Sequence, residues 1–159
     1  MKTQLIAVTL ILMLPCVARG QSGPAFEPYM FGGVSTISNS GGQAHVGAGL
    51  DVTVSNRLGA EAEVGWAGSD YGIGLVSADV LFRFRPRTGH RLMPYAAAGH
   101  TTSAFRGTAR PFANVGIGTD VNVGHKAIRI EIREHAGLSE EWANRHIFGL
   151  RLGLVWTRG

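Results

Sequence analysis

Apolar and polar residues alternate at every second position through most of the chain, and this alternation limits the possible folds more than any other feature. Val76, Ala78, Val80, Phe82 and Phe84 are apolar, and Ser77, Asp79, Arg83 and Arg85 stand among the residues between them. Leu58, Ala60, Ala62, Val64 and Trp66 alternate with Gly59, Glu61, Glu63 and Gly65, and Ile128, Ile130 and Ile132 with Arg129, Glu131 and Arg133. Phe148, Leu150, Leu152, Leu154 and Trp156 repeat the split against Gly149, Arg151 and Gly153. A period of two is the signature of a strand with one apolar face, and a helix turning every 3.6 residues cannot reproduce it.

Eight such runs fall near 27–35, 43–54, 58–67, 72–85, 91–101, 110–122, 126–135 and 146–157. Most exceed the about 5–6 residues of an ordinary strand and match the about 9–11 with which a tilted strand crosses a bilayer. The breaks are turn-like, as in Ser55-Asn56-Arg57, Pro86-Arg87-Thr88-Gly89 and Val123-Gly124-His125. Only Leu138 to Asn144 offers a helical turn. The expected fold is all-β: an eight-stranded, antiparallel, up-and-down barrel.

The first residues read differently. Lys2 precedes an apolar stretch from Leu5 to Leu14, and Ala18-Arg19-Gly20 sets small residues where a signal peptidase cuts. The stretch is shorter than the about 20 residues of a membrane helix. The expected organisation is a cleaved signal peptide at 1–20 and a barrel domain at 21–159. Lipoprotein processing at Cys16 is the alternative, and Pro15 fits it poorly. Cleavage after Gly20 removes the single cysteine, and with it any disulfide framework or thiolate chemistry. It also removes Lys2 and Arg19, taking the formal charge from +4 to +2 and weakening a nucleic-acid reading.

Alternation alone permits two barrels, a soluble one with the apolar face inside and a membrane one with it outside. Three features favour the second. The polar faces mix charges with glycines and hold few lysines, the apolar faces run the length of whole strands and end in aromatics, and the export signal leads toward an outer membrane. The lumen then receives Asp51, Glu61, Glu63, Asp79, Asp120 and Glu131 against Arg83, Arg85, Arg129, Arg133 and Arg151. Eight strands enclose a space that side chains fill, so these groups are expected to form a cross-barrel ion-pair network and not an open pore. Glycines at 47, 49, 65, 116, 118, 149 and 153 are expected to make room for the long arginines. Tyr29, Phe82, Phe84, Tyr95 and Trp156 are expected at one rim of the apolar band, and Trp66, Tyr71, Trp142 and Phe148 at the other.

The signal peptide, the eight alternating strands, the Arg129-Ile130-Glu131-Ile132-Arg133 strand and the ending from Gly149 to Trp156 together resemble the bacterial outer-membrane β-barrel domain of the outer membrane protein A type. The resemblance implies an assembly signal in the last strand, matched by Arg151, Gly153 and Trp156. The second terminal aromatic is missing from Trp156-Thr157-Arg158-Gly159. It also implies periplasmic chaperones and the barrel-assembly machinery as transient partners, with outer-membrane lipid and lipopolysaccharide as the surroundings. A cell-wall-binding domain is not expected.

Sites of chemistry are sparse. The six histidines show no metal-ligand spacing, although His45, His100, His135 and His146 fall near outer strand ends, where a metal could be held. Solvated loop edges are the plainer reading, and no metal or cofactor is expected. Some eight-stranded barrels deacylate lipid A through a lipid-facing His and a Ser two residues on. Here His135 is followed by Ala136 and Gly137, with Ser139, Glu140 and Glu141 only in the loop beyond. No phosphate loop with its lysine occurs. Arg106 and Arg110 in an outer loop are candidates for lipopolysaccharide phosphate. The expected role is that of a monomeric structural or surface-interaction barrel that is not an enzyme. A narrow small-solute channel is the alternative, and a lipid A-modifying esterase a more distant one.

Overall fold

The computed structural model describes residues 25–37, 41–68, 72–85, 90–105, 108–140 and 143–157. The signal peptide with its Cys16 alternative, and Tyr71, Arg106, Glu141 and Trp142, lie outside the described residues.

Eight strands follow one another: β1 (Ala25–Ile37), β2 (Gly42–Thr53), β3 (Leu58–Ala67), β4 (Ile73–Arg83), β5 (Leu92–Phe105), β6 (Thr108–Val123), β7 (Lys126–Gly137) and β8 (His146–Trp156). Each pairs antiparallel with the next, and β1 closes on β8 from Tyr29↔Val155 to Ile37↔Ile147. Closure leaves no unpaired edge, which is the condition for a sheet to stand in hydrocarbon. The tightest connection described, between β6 and β7, carries Gly124 at φ 65°, a left-handed conformation that glycine adopts without strain.

The barrel is apolar outside and charged inside. Val64, Val80, Ile117 and Leu152 are each about 60% exposed on the outer wall, while Asp51 and Arg133 are wholly buried in the lumen. Exposing large aliphatic side chains to water forfeits about 1.5–3 kcal/mol each, so a wall of them needs an apolar solvent. This is the membrane arrangement of the two that alternation allowed.

The lumen is layered. At the end bearing the long hairpins, Ala67, Ile73 and Leu75 form an apolar layer, with Phe112 and Ile147 buried at the same end. At the end bearing the strand termini, Leu81, Tyr95 and Ala97 form one apolar cluster and Tyr29, Phe31, Ala127 and Val155 another. The ionic groups start beneath the hairpin-end layer and interleave with the terminal-end clusters, with Arg83 beyond Leu81 on β4 and Glu27 beyond Tyr29 on β1. Strand β4 ends at Arg83, two residues short of the expected run, and β5 and β6 run closer to their hairpin than expected, pairing out to Phe105↔Thr108.

Candidate functional site in the barrel lumen

Four arginines and six acids build the centre. Arg129 and Arg133 stand two positions either side of Glu131 on β7, so all three point inward. Arg129 donates from Nε and Nη2 to Asp120 at 2.8 and 3.0 Å, from Nη1 to Glu61 at 2.7 Å and from Nη2 to Asp51 at 3.1 Å. Arg133 donates to Glu131 at 2.6 Å, Asp79 at 2.6 Å and Glu61 at 2.7 Å. Arg151 on β8 binds both oxygens of Glu63 at 2.7 Å and also reaches Glu131. Arg83 grips Asp51 with one nitrogen at 2.8 and 2.7 Å. Guanidinium forks suit this work because each satisfies several carboxylates from a planar, always charged head.

The register explains why so many arginines must cross the lumen. Glu27 pairs with Asp51, Asp51 with Glu61, and Glu61 with Asp79, which sets four carboxylates side by side on β1 to β4. Like charges directly opposite one another repel. Arg129 and Arg133 reach across from β7 to this row, so the attraction that offsets the repulsion also braces opposite walls of the barrel.

Arg85 is not brought into the network. It lies past the end of β4 and is exposed, so the lumenal bases number four of the five expected. Glu27 is a buried lumenal acid that the sequence reading missed. The run from 27 to 35 reads as a strand, but its alternation is too weak by itself to mark Glu27 as lumenal.

Tyr29 and Tyr95 also depart from expectation. Both are buried in the lumen and not at a lipid-facing rim. Tyr29 donates to Glu63 at 3.0 Å and Tyr95 to Glu131 at 2.5 Å. The Arg129 guanidinium lies 4.8 Å from one ring and 4.9 Å from the other, and that of Arg151 lies 4.3 Å from the Phe31 ring. Each ring lies on a glycine of the next strand: Tyr29 opposite Gly49, Phe31 opposite Gly47 and Tyr95 opposite Gly118. A methyl group at Gly49 or Gly47 would come within 2.4 Å of the ring opposite, and one at Gly118 within 2.6 Å of the Tyr95 hydroxyl. Gly47, Gly49 and Gly118 thus seat aromatics and not arginines. Gly59, which was not singled out, underlies Arg83, where a methyl would meet the guanidinium at 2.7 Å. The available signal was the pairing of lumenal aromatic with lumenal glycine, and it needs the register to be seen.

Toward the hairpin end the lumen turns polar without charge. Ser77 and Thr101 share a hydrogen bond of 2.8 Å, Thr101 meets His135 Nδ1 at 3.0 Å, and Asn114 donates to Asp79 at 2.6 Å and to Thr101 at 2.9 Å. The four histidines considered together are dispersed. His45 and His135 are lumenal, whereas His100 lies on the outer wall beside Thr102, and His146 holds Glu134 at 2.7 Å on that wall. Among the described residues no group of three or more His, Cys, Asp or Glu is placed to hold a metal. His135 faces inward to Thr101 and not outward to lipid. Of the residues expected to form an assembly signal, Arg151 is fixed by its ion pairs, a methyl group at Gly153 would come within 3.0 Å of the Met30 carbonyl oxygen and 3.4 Å of Arg129 Cβ, and Trp156 ends β8 on the outer wall.

No protein-family model matches the sequence, and no curated protein matches it. Solved structures do match. The N-terminal β-barrel domain of Pseudomonas aeruginosa OprF superposes with a TM-score of 0.69 at 16% identity, covering 86% of this chain and 98% of that one. Neisserial surface protein A superposes at 0.66 with 12% identity, covering 87% and 99%. The outer membrane enzyme PagL superposes at 0.52 with 18% identity, covering 82% and 99%. The fold is that of the eight-stranded outer-membrane β-barrels. The resemblance to the outer membrane protein A type is met at this level. PagL, an enzyme, and the OprF domain share the one architecture, so the fold by itself assigns no chemistry.

Proposed function

We propose that this chain is a small integral outer-membrane barrel with a structural or surface-interaction role and a closed lumen. The observation that carries the reading is the ionic network: Arg129 and Arg133 join β7 to carboxylates on β2, β3, β4 and β6, beneath an apolar layer at the hairpin end. A solute path would have to part the hairpin-end apolar layer, several buried ion pairs and the aromatic rings packed among them. That favours a plug over a narrow channel. The outward hairpins would carry any binding, within outer-membrane lipid and lipopolysaccharide. The barrel-assembly machinery and periplasmic chaperones would act during insertion, and the mature barrel would be a monomer with no nucleic-acid partner.

Membrane fractionation with gel migration tests the reading. The protein is expected in the outer-membrane fraction and, unboiled in detergent, should migrate faster than after boiling. Recovery as a soluble periplasmic protein would overturn it. Planar-bilayer recordings separate plug from channel, with background conductance expected.

A further inference from the structure

On the outer wall, the ionisable groups of the hairpin-end half are confined to one side of the barrel. Among the described residues they are His100 on β5, Glu134 on β7 and His146 on β8. His100 is exposed, and its Nε2 lies 3.3 Å from Thr102 Oγ1. His146 Nδ1 lies 2.7 Å from Glu134 Oε1, with the two side chains 41% and 32% exposed. Ionisable side chains at membrane depth are rare and mark functional sites.

The register fixes their depth. Followed from partner to partner, the pairing that starts at Glu27 returns to β1 at Ile37, ten residues nearer the hairpins. Each strand therefore climbs by about 1.25 residues on the one before it. Glu134 pairs with Phe148 and lies about one residue deeper than that ring. The row of Trp66 runs through Gly74 to Ala104, which puts His100 about one and a half residues deeper than the indole. Both groups thus stand inside the aromatic rim, at a level where β1, β2 and β4 present Val34, Val46 and Val76, each at least 50% exposed. Between them β6 presents only Ala113, paired with His100 on one side and Ala136 on the other. The result is a polar notch in an otherwise apolar band. Below it Val115, Ile117 and Ile132, each more than half exposed, continue as an apolar wall.

A lipid against this notch has to match it in hydrogen bonds. A carboxylate only accepts, and a neutral imidazole has one donor and one acceptor. Glu134 engages His146 through Oε1, and His100 engages Thr102 through Nε2, so each keeps a second polar atom for a lipid. Just below its headgroup a glycerophospholipid offers ester carbonyls, which accept and cannot donate. Lipopolysaccharide offers amide N–H groups and hydroxyls at the tops of its acyl chains, and these donate. Given an outer-membrane barrel with its hairpins outward, on which this rests, we propose that the notch binds one lipopolysaccharide molecule of the outer leaflet. An acyl amide or hydroxyl donates to Glu134, a hydroxyl meets the second ring nitrogen of His100, and the chains lie on Val115, Ile117 and Ile132.

The full-length barrel refolded into phosphatidylcholine vesicles tests the site, with either lipid A or phosphatidylglycerol added at equal charge. The readout is the temperature at which the fast-migrating folded form is lost. Lipid A should raise it by a few degrees more than phosphatidylglycerol does, because a ligand of the folded state stabilises it. Glu134→Leu and His100→Leu should each lose most of that gain, whereas Val76→Leu, at the same level on β4, should keep it. In vesicles without lipid A both notch variants should be at least as stable as the parent, since leucine suits hydrocarbon, which separates a lost lipid contact from a damaged fold. No gain beyond that of phosphatidylglycerol, or a gain that both notch variants retain, would overturn the proposal. So would a gain that appears only with complete lipopolysaccharide, which would move the contact from the wall to the loops. Failure to form the folded species in any vesicle would overturn the membrane placement itself, and the site with it.

Discussion

At the scale of single residues, the lumen distinguishes side chains that the alternation treats alike. Arg133 and Arg85 both fall on the polar parity of their strands, yet Arg133 is wholly buried among Glu61, Asp79 and Glu131 while Arg85 is exposed past β4. Removing one member of a buried ion-pair cluster strands the others, at a cost of about 3–5 kcal/mol. Arg133→Met should therefore lower folding stability by that amount in urea titrations into lipid vesicles, and Arg85→Met should change it by no more than about 0.5 kcal/mol. A small effect of Arg133→Met would mean that the acids are compensated in some other way. The glycines divide similarly. Gly49→Val drives a side chain into the Tyr29 ring and breaks its bond to Glu63, so an overpacking loss of about 1–3 kcal/mol is expected. Gly32 has nothing within 4 Å of an added methyl, and Gly32→Ala should be tolerated in the same titration.

At the scale of elements, each strand carries two faces with different solvents. Leu152 on β8 sits on the outer wall between Gly32 of β1 and Ile130 of β7, well inside the strand. Arginine there should cost about 2–4 kcal/mol in vesicle refolding, against about 0–1 kcal/mol for arginine at Phe84, past the end of β4. Equal costs would argue against a bilayer around this wall. The elements also divide by charge. The lumenal acids concentrate on β2 to β4, with Asp51, Glu61, Glu63 and Asp79, whereas three of the four network arginines come from β7 and β8. Closing the barrel brings these sets together, so the same contacts that plug the lumen also reward closure.

At the scale of the whole molecule, the lumen is closed in series: apolar at the hairpin end, then polar, then ion pairs interleaved with aromatic rings down to Arg83 at the terminal end. Opening one layer should not open the barrel. Leu75→Ser, which breaches only the hairpin-end layer, should leave conductance across planar bilayers at background; a measurable current would identify that layer as the barrier. Much of this architecture was legible before the structure. Strand number, approximate limits, the antiparallel order and the parity of Asp51, Glu61, Glu63, Asp79, Arg129, Glu131, Arg133 and Arg151 are local properties, because alternation is read within one strand at a time. Which groups touch was not legible. A shift of two residues in the pairing of two strands keeps every side chain on its face but gives each lumenal group new neighbours, and alternation does not specify that shift. Register and closure put Tyr29 on Gly49 and set four carboxylates in a row, while the end of β4 at Arg83 left Arg85 outside. The sequence by itself determined a barrel with one apolar and one polar face. Only the tertiary structure decided how the polar face pairs, because those partners lie on different strands and meet across the lumen only when the eighth strand closes on the first.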